Sequence, residues 1–126
     1  MAENEIVKEG KKTAILAYFT FVGTLIAWSI NSDTTEGRKK NPFASFHIRQ
    51  CIGLNVVFIV LGVLISGVNG SLIDAEMGGS IMMVTIPFWV FFIVLWGFGF
   101  MGALNGQLAI IPLLGKYFQK WFKGIA

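Results

Sequence analysis

The chain holds one histidine and one cysteine, His47 and Cys51, with Arg49 and Gln50 between them. An imidazole, a guanidinium and an amide within four residues can move a proton, hold an anion or grip a carbonyl. A zinc site needs three or four ligands from His, Cys and carboxylates. The carboxylates, Glu3, Glu5, Glu9, Asp33, Glu36, Asp74 and Glu76, all fall in polar segments away from this run. No metal, cofactor or catalytic set is therefore expected, and the chain reads as non-enzymatic. A lone cysteine forms no internal disulfide, and Cys51 reads as a small packing residue. Gly97-x-Gly99-x-x-Gly102 has dinucleotide-loop spacing but sits in an apolar run without the strand that the motif requires, so it reads as helix packing.

The elements that must position these residues follow from composition. Hydrophobic residues make up 55% of the 126 positions and charged residues 13%. Soluble domains carry about 25% charged residues. The mean hydropathy is +0.70. Charges are absent from Gln50–Ile73 (24 residues), Met77–Gly115 (39 residues) and Thr13–Asn31 (19 residues). About 20 apolar residues cross a bilayer as a helix. The expectation is an all-α integral membrane protein, a single domain with three transmembrane helices at about 13–30, 48–66 and 81–104. The first apolar run is longer than a signal-peptide core and lacks a small-x-small site, so it is expected to be retained. Residues 1–12 read as a polar lead-in along the surface.

Asn41-Pro42 reads as a helix start, the amide capping free N–H groups and proline at the first helical position. Small residues recur along one face of each expected span: Ala17, Thr20, Gly23, Thr24 and Ala27 in the first; Cys51, Asn55, Gly62 and Ser66 in the second; Gly99, Gly102, Ala103 and Gly106 in the third. Such faces let helices approach closely in lipid. Asn55 reads as an amide joining helices, with a part in substrate passage as the other reading. Lys116, Lys120 and Lys123 recur at helical spacing above Leu113, Leu114, Tyr117, Phe118, Trp121 and Phe122. That pattern predicts an amphipathic interfacial helix at about 111–123.

With three spans, Arg38, Lys39, Lys40, Arg49, Lys116, Lys120 and Lys123 share one side, and Lys8, Lys11 and Lys12 the other. Seven bases against three place the C-terminus in the cytoplasm and the N-terminus outside; the three lysines abutting the first span dissent. Helix two starts and helix three ends on one side, which predicts a hydrogen-bonded cluster joining His47, Arg49 and Gln50 to Asn105, Gln107 or a carbonyl freed at that break. Two readings of the segment stand: Arg49 reaching lipid phosphates with His47 in the interface, or a polar docking or gating site.

Tyr18-Phe19-Thr20-Phe21-Val22-Gly23-Thr24-Leu25-Ile26, Pro42-Phe43-Ala44-Ser45-Phe46-His47-Ile48-Arg49-Gln50 and Gly102-Ala103-Leu104-Asn105-Gly106-Gln107 followed by Pro112-Leu113-Leu114-Gly115-Lys116 together resemble the Tic-twenty-like family of small membrane proteins. That family includes an inner-envelope subunit of the chloroplast protein import apparatus and bacterial relatives described as import components. The likeness runs from about Thr13 to Phe122, and Phe46-His47-x-Arg49-Gln50 is its most specific part. The chloroplast members have four spans; here the fourth element is short and carries three lysines. The resemblance implies an accessory subunit of a protein-translocation or membrane-protein insertion complex, in a bacterial inner membrane, and brings no catalytic residues. The expected partners are membrane lipids and a larger membrane complex, not nucleic acid. The alternative is a small lipid-interacting, membrane-organising protein, whose Arg38, Lys39, Lys40, Lys116, Lys120 and Lys123 meet anionic headgroups.

Overall fold

A computed structural model describes residues 3–126; Met1 and Ala2, the start of the expected lead-in, lie outside it. It is helical, with no strand among the described residues: α1 (Glu3–Ala17), α2 (Thr20–Ser32), α3 (Pro42–Asp74), α4 (Ile81–Leu104) and α5 (Gly115–Trp121). Two helices are long and apolar enough to cross a bilayer, α3 and the segment containing α4. At 1.5 Å per residue, α3 is about 50 Å long and α4 about 36 Å.

α3 starts where Asn41-Pro42 predicts. The Asn41 side chain accepts from the Ala44 N–H at 3.0 Å, and Pro42 occupies the first turn. α4 matches its expected bounds, and Pro87 is accommodated inside it. It ends in a glycine-terminated turn: Gly106 has φ 69°, the Gln107 N–H returns to the Gly102 carbonyl and the Gly106 N–H to that of Ala103. The left-handed residue ends the helix while satisfying two of its last carbonyls.

The first apolar run is not the single continuous helix that the three-span expectation requires; the chain breaks at Tyr18–Phe19 and doubles back. Asn41 ties both ends of the resulting hairpin: its amide Nδ2 donates to the Ile6 carbonyl at 2.8 Å, and its N–H donates to Asn31 Oδ1 at 2.9 Å. A straight helix would hold residues 6 and 31 about 37 Å apart. Gly10 lies directly against the Asn41 side chain, so the supposed surface lead-in is a packed helix.

A helix break among apolar residues frees carbonyls that have no water to meet, and these need protein partners. Here each has one. Ile15 and Leu16 accept from the N–H groups of Tyr18 and Phe19 at 3.1 and 3.0 Å. Ala17 accepts from Thr24 Oγ1 at 2.7 Å, and Tyr18 from Trp96 Nε1 at 2.8 Å. Gly23 is required here, because a Cβ would stand 2.5 Å from the Leu16 carbonyl oxygen. Thr20, at φ 60°, makes the turn in a conformation that β-branched residues rarely adopt.

The buried core gathers at one end, where α1, the first third of α3, the last third of α4 and α5 meet. Beyond it α3 and α4 run on as an antiparallel pair, joined by the Phe58, Phe88 and Phe92 rings and by Asn69 donating to Thr85 at 3.2 Å. The outer faces of this pair are apolar and open; Val63 and Met83 are 67% and 77% exposed.

Candidate functional site

α4 stops at Leu104 and α5 starts at Gly115, so residues 105–114 cross the core end outside any helix. Backbone groups buried in such a segment must be paired by side chains or destabilise the fold. His47 and Gln50, both fully buried one turn apart on α3, pair them.

His47 Nε2 lies 2.9 Å from the Gln107 carbonyl and Nδ1 lies 2.8 Å from the Tyr18 hydroxyl. A carbonyl only accepts, so Nε2 carries the proton; Nδ1 then accepts from Tyr18. Gln50 Nε2 donates to the Ala109 carbonyl at 3.0 Å and approaches the Tyr18 oxygen at 3.4 Å, while Gln50 Oε1 accepts the Ile111 N–H at 2.7 Å. Those partners fix the orientation of the amide, because a flipped group would face donor with donor and acceptor with acceptor. The rings of Tyr18, Phe43 and Phe46 enclose the imidazole edge-on, at 5.7, 4.7 and 5.1 Å. The whole set is closed, and its chemistry is that of a fastener: one carboxamide and one imidazole hold a stretch of irregular backbone against α3 and the hairpin tip.

A second layer lies toward the Asn41 end. Asn31 donates to Ser45 Oγ at 2.8 Å, both being buried. A third joins the tip of the hairpin to α3, where Asn55 Nδ2 donates to Thr24 Oγ1 at 2.9 Å. The C-terminal segment is held by Gln119 Nε2 on the Phe46 carbonyl (2.8 Å), Arg49 on the Ala126 carbonyl (2.7 Å) and Trp28 Nε1 on the Ile125 carbonyl (3.0 Å). Arg49 thus grips protein backbone. Phe118 of α5 lies buried with its ring on Gly53, in the space a Cβ would take.

The expected site residues divide. His47 and Gln50 are brought to the break after α4, but Asn105 and Gln107 offer no side chain to them; both are exposed, and Gln107 takes part through its carbonyl. The left-handed turn at Gly106 presents that segment's backbone to the core. Gly23, Ala27, Gly99, Gly102 and Ala103 are buried at close approaches, a Cβ on Gly99 or Gly102 standing 2.8 Å from Tyr18 or Ala109. Gly62 and Ser66 have no such neighbour: a Cβ at Gly62 would meet nothing within 4 Å, and Ser66 is exposed, because the hairpin ends well before that level of α3. The surface helix expected at 111–123 is shorter, Gly115–Trp121, since Gln50 holds the Ile111 N–H and Leu113 is left-handed at φ 69°. Lys116, Lys120 and Lys123 are exposed on that segment. Tyr18, Trp96, Gly53 and Gln119 were not singled out by spacing; each works through a backbone group or a ring far off in sequence.

The segment between α2 and α3, residues 33–41, carries Arg38, Lys39 and Lys40, all exposed. The Thr35 hydroxyl and N–H, at 2.6 and 3.0 Å from Asp33 Oδ1, hold that carboxyl below its ordinary range, and Arg38 stands 3.6 Å from it. The start of α1, this loop, Arg49 and the lysines following α4 all lie at the core end of the molecule, so the chain's ten Lys and Arg collect there. The loop at the far end, Ala75–Ser80, contains Glu76 and no base.

Fold and site together define an all-helical protein with two helices of bilayer-crossing length and a buried fastener that binds side chain to backbone. Comparison with known proteins adds no relative: no family model, no curated protein and no solved structure matches the chain.

Proposed function

We propose that the protein is a non-enzymatic accessory subunit of a protein-translocation or membrane-protein insertion complex in a bacterial inner membrane. In this reading α3 and α4 cross the bilayer, and the α1–α2 hairpin enters the near leaflet and returns to the same face. The N-terminal end, the 33–41 loop and α5 then share a side with all ten basic residues. Lys and Arg excess marks the cytoplasmic side. The lysines of α1 no longer dissent, and three crossings are replaced by two.

The accessory role rests on the sequence resemblance set out above. The structural observation that supports it is the unfilled small-residue face at Gly62 and Ser66. Small residues on a lipid-facing helix give a second helix room to approach. The test is purification of the tagged chain from native membranes in mild detergent, before and after Gly62→Leu with Ser66→Leu. Stoichiometric translocation or insertion subunits should accompany the unaltered chain and be lost from the double variant, whose melting temperature should stay unchanged. Purification of the unaltered chain with lipid alone would contradict the proposal.

A further inference from the structure

At the basic end, two cavities adjoin at Ile6 and Pro42. The outer one, about 500 Å³, is lined by Arg38, Lys39, Lys40, Asn41 and Glu9. The inner one, about 450 Å³, is lined by Val7, Phe43, Leu108, Gly106 and Gln107. They share Ile6 and Pro42 in their linings and so adjoin as a groove between α1, the start of α3 and the segment after α4, with all its charged side chains in the outer part and none in the inner. Neither half suits a water-soluble anion or a plain hydrocarbon as well as the whole suits an amphiphile with a negative head.

We propose that this groove binds one anionic phospholipid of the cytoplasmic leaflet, with a hydroxyl-bearing headgroup such as that of phosphatidylglycerol. Three arguments converge on that occupant. Charge is complementary: Lys39 and Lys40 have no carboxylate partner among the described residues, and Arg38 shares its charge with Asp33 alone. The phosphate therefore meets ammonium groups with spare donors. Glu9 on the rim would repel a second negative charge but accepts hydrogen bonds from glycerol hydroxyls, which favours a singly charged head over a multiply phosphorylated one. The apolar half is lined by Leu108, which is itself exposed, so an acyl chain can enter it from the near leaflet. The site does not involve the Gly62–Ser66 face and needs no protein partner, so it can fail while the accessory role stands.

The measurement is native mass spectrometry of the full chain in non-ionic detergent, titrated with phosphatidylglycerol or phosphatidylcholine of identical acyl chains. One phosphatidylglycerol should bind with a preference of about tenfold or more, a factor that two surface lysines can supply. Lys39→Gln with Lys40→Gln, both exposed and outside the core, should abolish the preference. Leu108→Gln should weaken binding of both lipids, and Lys120→Gln with Lys123→Gln, which removes the same charge elsewhere, should change binding less than about twofold. Equal loss in the tail variant would show non-specific surface attraction and overturn the proposal. So would equal binding of phosphatidylcholine, or displacement of the lipid by glycerol phosphate, which would make the site one for a free anion.

Discussion

Replacing Gln50 by leucine is expected to lower the melting temperature of the detergent-solubilised protein by about 10 °C or more. Leucine fills nearly the same space, so the loss is polar. The Ala109 carbonyl and the Ile111 N–H lose their partners at 3.0 and 2.7 Å, and both face a side chain with no exposed surface. A buried backbone group left without a partner costs about 1–3 kcal/mol, and two give about 2–6 kcal/mol. For a chain of this size each kcal/mol corresponds to a few degrees. The paired control is Gln107→Ala. The Gln107 side chain is exposed and only its carbonyl meets His47, so this change should stay within about 0.5 kcal/mol of the parent. A Gln50→Leu protein as stable as the parent, or a Gln107→Ala protein as unstable as Gln50→Leu, would remove the fastener from the account.

The second large effect belongs to Gly53. Phe118 occupies the space where any side chain at this position would begin. Gly53→Leu should therefore expel the ring and free α5, whose only helical neighbour among the described residues is α3. A buried Phe contributes about 3–5 kcal/mol, enough to raise the open population on the order of a hundredfold. Tryptic cleavage at Lys116, Lys120 and Lys123 should accelerate accordingly, while the hairpin and the α3–α4 pair remain folded, because Gln50 still holds Ala109 and Ile111. Adding Phe118→Ala to Gly53→Leu should recover part of the loss by exchanging volume across the contact. Cleavage rates unchanged by Gly53→Leu would mean that α5 is not seated there.

The two effects separate the roles of the C-terminal third. Residues 107–111 are held by hydrogen bonds from α3, and α5 by the Phe118 ring on Gly53 with a single hydrogen bond from Gln119 to the Phe46 carbonyl. The first kind of hold suits a fixed scaffold. The second leaves α5, with its three lysines, the element most easily released from the core.

How much of this was legible depended on whether the signal was local. α4 could be bounded from its charge-free run because Asn105-Gly106 ends it within the same few residues. The start of α3 was written in Asn41-Pro42. His47 and Gln50 could be read as buried polar groups needing partners at the break after α4. Their partners could not, because carbonyls and N–H groups are the same at every residue and carry no signal of which will be left unpaired. The hairpin was the harder case. Thr13–Ile30 carries no charge, and its turn holds neither glycine nor proline. Ala17, Thr20, Thr24 and Ala27 fit one continuous helix face. In the fold Thr24 reaches back to the Ala17 carbonyl, and Trp96, 78 residues on, takes that of Tyr18. A break stabilised from such distances looks like an unbroken helix in a sequence window. One local sign was present: Lys8, Lys11 and Lys12 sat on the wrong side for a three-span chain, and the hairpin removes the conflict.

The central claim, that the N-terminal helices enter and leave by one face, is tested most directly by thiol accessibility. Single cysteines at Glu5, Thr35, Gly79 and Gly124, each in a Cys51→Ser background, would be treated with an impermeant reagent in intact cells and again after permeabilisation. The account predicts labelling of Gly79→Cys in intact cells, and of Glu5→Cys, Thr35→Cys and Gly124→Cys only after permeabilisation. Labelling of Glu5→Cys from outside while Thr35→Cys stays protected would mean that residues 13–30 cross the membrane, and would contradict it.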